Sequence, residues 1–126
     1  KFNQPLSNTL SQLVNLNELT LGFDFNQELE IPFNIRVLKL NCNNVHLIEN
    51  LPNSIEELYL LCSFRLELSN LPSSIKTISF DKDSSYNKEL NNLPKSLEKL
   101  YLPPKYNIEI KTLKQIYPKC RIVKLY

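Results

Sequence analysis

Five hexapeptides of the form apolar-x-x-apolar-x-apolar recur along the chain, and their spacing restricts its fold more than any other feature. They are Leu16–Leu21, Ile35–Leu40, Ile55–Leu60, Ile75–Phe80 and Leu97–Leu102, offset by 19, 20, 20 and 22 residues. A period this short belongs to a stack of coils, none of which can bury its apolar side alone. The last three residues of each hexapeptide alternate apolar, polar or mixed, apolar, which is the period of a half-buried strand. The spacing therefore predicts adjacent parallel strands at 19–21, 38–40, 58–60, 78–80 and 100–102. Leu19, Leu38, Leu58, Ile78 and Leu100 then form one buried column.

The residues between the strands set the rest of each coil. Ile31-Pro32, Leu51-Pro52, Leu71-Pro72 and Leu93-Pro94 precede the last four strands, with Ser54, Ser74 and Ser96 two residues after the last three prolines. Proline fixes φ, lacks an N–H donor and discourages helix at the preceding residue. The outer side of each coil is thus expected to be extended or a single 3₁₀ turn, with little helix.

Past each strand an aromatic-Asn pair recurs as Phe2-Asn3, Phe25-Asn26, Tyr86-Asn87 and Tyr106-Asn107. Phe64-Arg65 is a degenerate copy and Asn44-Val45 a weaker one. The aromatic reads as a core plug and the Asn as a rung of a buried side-chain ladder. A second candidate ladder lies three residues after each strand, at Asp24, Asn43, Ser63, Asp83 and Lys105. One glycine, Gly22, against sixteen asparagines indicates turns built from Asn, and excludes a glycine-rich phosphate cradle.

The strand segments resemble the leucine-rich-repeat pattern over essentially the whole chain. Phe2-Asn3-Gln4-Pro5-Leu6, Phe25-Asn26-Gln27 and the L-P-x-S-I/L-x-x-L-x-L runs are more specific, and resemble the FNIP repeat. This is a short leucine-rich-repeat variant of amoebozoan proteins and of giant DNA viruses that infect amoebae. Only the first coil carries the complete F-N-Q-P-L. The bacterial effector type of leucine-rich repeat shares the L-P-x-x-L element, but the F-N element disfavours it.

The resemblance implies a leucine-rich-repeat solenoid, with short parallel strands on a concave face and an extended or 3₁₀ convex side. It also implies a binding module with no catalytic residues to carry over. In some viral members an F-box precedes such repeats, making them the substrate receptor of a ubiquitin ligase. No F-box stands in these 126 residues. The whole chain, 1–126, is read as one domain of about five and a half coils. Residues 109–126 leave the repeat and are expected to add a helical turn or two, a last strand and a cap. The start at Lys1 and the absence of methionine suggest a piece of a longer polypeptide.

Composition and motifs argue against most other classes. A net charge of +2 and scattered basic residues lack the clustering of a nucleic-acid footprint. No apolar run nears the roughly 20 residues of a membrane span. His46 has no cysteine or carboxylate at ligand spacing, and no nucleophile–base pair is present. Neither a catalytic residue, a metal nor a cofactor is expected. Asp81-Lys82-Asp83-Ser84-Ser85 matches the start of a calcium loop, but Tyr86 and Asn92 stand where that loop needs glycine and glutamate. Cys42 and Cys62 share a register, so a bridge between them is geometrically possible. Free thiols in the cytoplasm (the host's, if the protein is viral) are the expectation.

The informative surface is the concave face. Its central outward column reads Thr20, Lys39, Tyr59, Ser79, Tyr101. The flanking columns read Glu18, Val37, Glu57, Thr77, Lys99 and Gly22, Asn41, Leu61, Asp81, Pro103. Tyrosine is enriched at interface hot spots, so Tyr59 and Tyr101 are the candidate anchors for a protein partner of this monomer. Lys39 and Lys99 would orient that partner, and Leu61 would add apolar area. The face covers a few hundred Å² by strand spacing, against about 800 Å² per partner in a standard interface. Binding is therefore weak, or the intact protein has more coils. The alternative is a purely structural segment or cap of a longer array, with no ligand of its own.

Overall fold

A computed structural model describes residues 17–22, 31 and 33–125. The copies at Phe2-Asn3 and Phe25-Asn26, the rung at Asp24 and the proline at 32 lie outside the described residues. The described chain runs β1 (Glu18–Leu21), β2 (Val37–Leu40), α1 (Val45–Glu49), β3 (Glu57–Leu60), β4 (Thr77–Phe80), β5 (Lys99–Leu102), α2 (Ile110–Ile116) and β6 (Arg121–Lys124).

The strands form one six-stranded sheet in sequence order, every pair parallel. Leu19, Leu38, Leu58, Ile78, Leu100 and Ile122 lie side by side across it. Leu38, Leu58, Ile78 and Leu100 are fully buried, as expected, whereas Leu19 is only half-buried. The second inward column, Leu21, Leu40, Leu60, Phe80 and Leu102, is buried throughout.

Hydrogen bonds repeat from coil to coil. The Arg36 carbonyl accepts from the N–H groups of Glu56 and Glu57, the Glu56 carbonyl from Lys76 and Thr77, and the Lys76 carbonyl from Glu98 and Lys99. Each L-P-x-S motif closes a tight turn, in which the carbonyls of Pro52, Pro72 and Pro94 accept from the N–H three residues on. The serines also tie the stack together. The Ser54 hydroxyl donates to the Ile35 carbonyl (2.7 Å), Ser74 to Ile55 (2.7 Å) and Ser96 to Ser73 (2.6 Å). Each hydroxyl satisfies a carbonyl of the preceding coil.

Phe64, Tyr86 and Tyr106 are buried plugs, as the aromatic motif predicts. The tyrosine hydroxyls bond across coils where a buried asparagine ladder is expected. Tyr86 donates to the Leu66 carbonyl (2.8 Å) and Tyr106 to that of Lys88 (2.8 Å). Tyr117 donates to the Leu90 carbonyl and accepts from the Leu93 N–H (2.9 Å). Asn87 and Asn107 are exposed, so they are not buried rungs. Among the described residues of the alternative column, only Asn43 bridges coils through its side chain. It donates to the Ser63 carbonyl (3.0 Å) and accepts from the Arg65 N–H (2.6 Å). Asp83 and Lys105 are exposed.

The second coil carries one short helix within an otherwise helix-poor array. Asn44 stands at its plug position, and its Oδ1 caps α1 by accepting from the Leu47 N–H (3.2 Å). The helix turns Leu47 and Ile48 into the core. At the other end of the chain, α2 and β6 match the expected helical turns and last strand.

The buried phenols and thiols give this core a definite pH dependence. Burial pushes Tyr86 and Tyr117 above the ordinary phenol value of 10.0, Tyr106 up to about 12, and the Cys120 thiol from 9.0 up to about 11. These groups are neutral when protonated, and their folded pKa exceeds the unfolded one. Their contribution is therefore fully present below the unfolded values and is lost as pH rises through the folded ones. The urea midpoint should fall as pH rises above about 9–10. A midpoint that climbs through that range would contradict this assignment.

Candidate functional site

The sheet positions the candidate residues because its side chains alternate between core and solvent. Lys39, Tyr59, Ser79, Tyr101 and Val123 stand in adjacent register on the solvent face, all half-buried. Beside them run Glu18, Val37, Glu57, Thr77, Lys99 and Arg121. Leu61, just past β3, is half-buried at the edge of this surface. Pro103, expected on the same flank, is buried instead, because the chain turns there and the Pro103 carbonyl accepts from Tyr106 N–H (3.1 Å).

One end of the face is internally bonded. Lys39 Nζ lies 3.3 Å from Glu18 Oε2 and 5.5 Å from the centre of the Tyr59 ring. The Tyr59 hydroxyl donates to Glu57 Oε1 at 2.6 Å. That bond, with burial and the nearby carboxylates, pushes the Tyr59 phenol up to about 12. Tyr101, two strands away and roughly 10 Å distant by strand spacing, has no such carboxylate partner among the described residues. The sheet thus brings all five candidate residues to one surface, while Lys39 and Tyr59 are already engaged with neighbours of their own chain.

Arg121 is a residue of this face that the repeat pattern missed. It is the register partner of Lys99. Lys119 and Lys124 fall where the other hexapeptides are apolar, so β6 did not align with them. The β-branched pair Ile122-Val123 was the signal that could have found it.

Among the described residues no group of three or more His, Cys, Asp or Glu side chains could hold a metal ion. His46 is exposed on α1, away from the sheet. Cys42, Cys62 and Cys120 are free thiols. Cys42 faces the core and Cys62 the solvent, so shared register does not bring their sulfurs together. No helix among the described residues is long and apolar enough to cross a membrane.

A six-stranded parallel sheet built from coils of about twenty residues, with little helix, defines a repeat solenoid of the leucine-rich-repeat class. The FNIP Repeat family model matches residues 25–63 and 65–105, well over half of the chain, and the chain belongs to this family. FNIP repeats are in general protein-interaction repeats and not a catalytic family. No curated protein and no solved structure matches the chain.

Proposed function

We propose that the chain is a protein-interaction module whose partner docks on the solvent face of the sheet. Tyr59 and Tyr101 are its anchors, Lys39 and Lys99 set the partner's orientation, and Leu61 adds apolar area. The observation that supports this most is the placement of two half-buried tyrosines in one outward column of a continuously paired sheet. Rigid aromatic side chains supply contact area at low entropic cost. In this reading the module works as a monomer in the cytoplasm. Preceded by an F-box, it would be the substrate-recognition part of a ubiquitin-ligase adaptor.

A second reading, a structural segment of a longer array, draws on two observations. Lys39 and Tyr59 are satisfied by Glu18 and Glu57 without any partner. At β6, Lys124 pairs with the inward Leu102. A lysine at a core-facing register opposes the addition of another strand, which supports 109–126 as a cap.

Capture from host-cell extract separates the two readings. The Tyr59→Ala/Tyr101→Ala double variant, compared with wild type at matched thermal stability, should lose its specific partners, since a tyrosine hot spot is worth about 2 kcal/mol or more. Unchanged capture would leave the structural reading in the lead.

A further inference from the structure

Lys99 and Arg121 face each other as register partners across β5 and β6, and both are exposed on the solvent face of the sheet. Like charges directly opposite one another destabilise a sheet. On the same face Glu18 is paired with Lys39, and Glu57 accepts from the Tyr59 hydroxyl. Among the described residues, neither the Lys99 nor the Arg121 side chain has an ion-pair or hydrogen-bond partner. The neighbouring acid, Glu98, is held by Lys76 at 3.6 Å. Next to the two cations, Tyr101 and Val123 pair in the adjacent column, both half-buried, and form a short apolar strip.

We propose that the β5–β6 end of the sheet binds an acidic peptide segment. Its carboxylates meet Lys99 and Arg121, and an apolar side chain lies on Tyr101 and Val123. This rests on the sheet-face reading above and gives the partner a chemistry. Bringing carboxylates to the pair removes the mutual repulsion of two cations, so the partner supplies what the fold leaves unanswered. Among the described residues the face carries one pair of free cations beside an apolar strip. A nucleic-acid groove tracks successive phosphates with a stripe of them.

The test is an NMR titration of the ¹⁵N-labelled full chain with a short synthetic peptide of glutamates around one phenylalanine. Amide shifts should concentrate on β5 and β6, and the same peptide with glutamine for glutamate should not produce them. Lys99→Glu should weaken binding about tenfold or more, a loss of the size expected for reversing a paired interfacial charge. It should also raise the thermal midpoint, because it turns a like-charge cross-strand pair into an opposite-charge one. Lys88→Glu, the same charge change at an exposed position off the sheet, should retain the affinity.

Three results would overturn the proposal: no shifts at β5–β6, equal weakening by Lys88→Glu and Lys99→Glu, or displacement of the peptide by a short oligothymidylate at the same residues. The titration needs no host partner, so its outcome is independent of the capture experiment. A silent peptide together with capture lost in the double tyrosine variant would remove the acidic chemistry and leave the sheet-face reading standing.

Discussion

Leu58→Ala is expected to lower the unfolding free energy by about 2–5 kcal/mol, measured by urea denaturation. Leu58 is fully buried in β3, with a strand and an inward apolar side chain on either side, Leu38 and Ile78. Continuous pairing leaves little room for collapse around the missing atoms, and the cost of a truncation grows with the cavity that remains. Against a typical total of about 5–15 kcal/mol, such a loss threatens the whole fold. Leu19→Ala should cost less, under about 2 kcal/mol, since Leu19 is only half-buried. Equal losses at the two positions would contradict the burial gradient across the sheet.

Tyr86→Ala should cost about 3–5 kcal/mol, and Tyr86→Phe only about 1 kcal/mol. The Tyr86 ring lies 4.6 Å from that of Phe80 and 6.1 Å from that of Phe64, centre to centre, with no exposed surface. Removing the ring opens a void between the third and fourth strands' coils. Removing the hydroxyl alone leaves the packing intact and deprives the Leu66 carbonyl of one donor. The pair of variants thus separates plug volume from the cross-coil hydrogen bond. A Phe variant as damaged as the Ala variant would mean that the hydroxyl, and not the ring, holds these coils together.

Strand positions, their parallel order and the inward columns were legible in the residues because repetition amplifies a weak local signal. A three-residue apolar alternation means little once, but five copies at nearly constant spacing admit one stacking register. The aromatic plugs were legible for the same reason. At the candidate site, the outward column from Lys39 to Tyr101 follows directly from that register.

Only the tertiary structure decided which polar groups satisfy the coil backbones. Asparagine is abundant and a plausible rung, yet Asn87 and Asn107 are exposed, while the Ser54, Ser74 and Ser96 hydroxyls and the tyrosine hydroxyls bond across coils. A hydrogen-bond partner some twenty residues distant depends on side-chain direction at both ends, which composition and period do not carry. α1 arose likewise, where Asn44 in a plug position caps a helix that turns Leu47 and Ile48 into the core. The pairing of Lys99 with Arg121 had the same origin, because β6 lacks the repeat's apolar signature and enters the sheet through its register with β5 alone. Period determined the scaffold, and side-chain geometry between neighbouring coils decided how its polar groups and surface charges are matched.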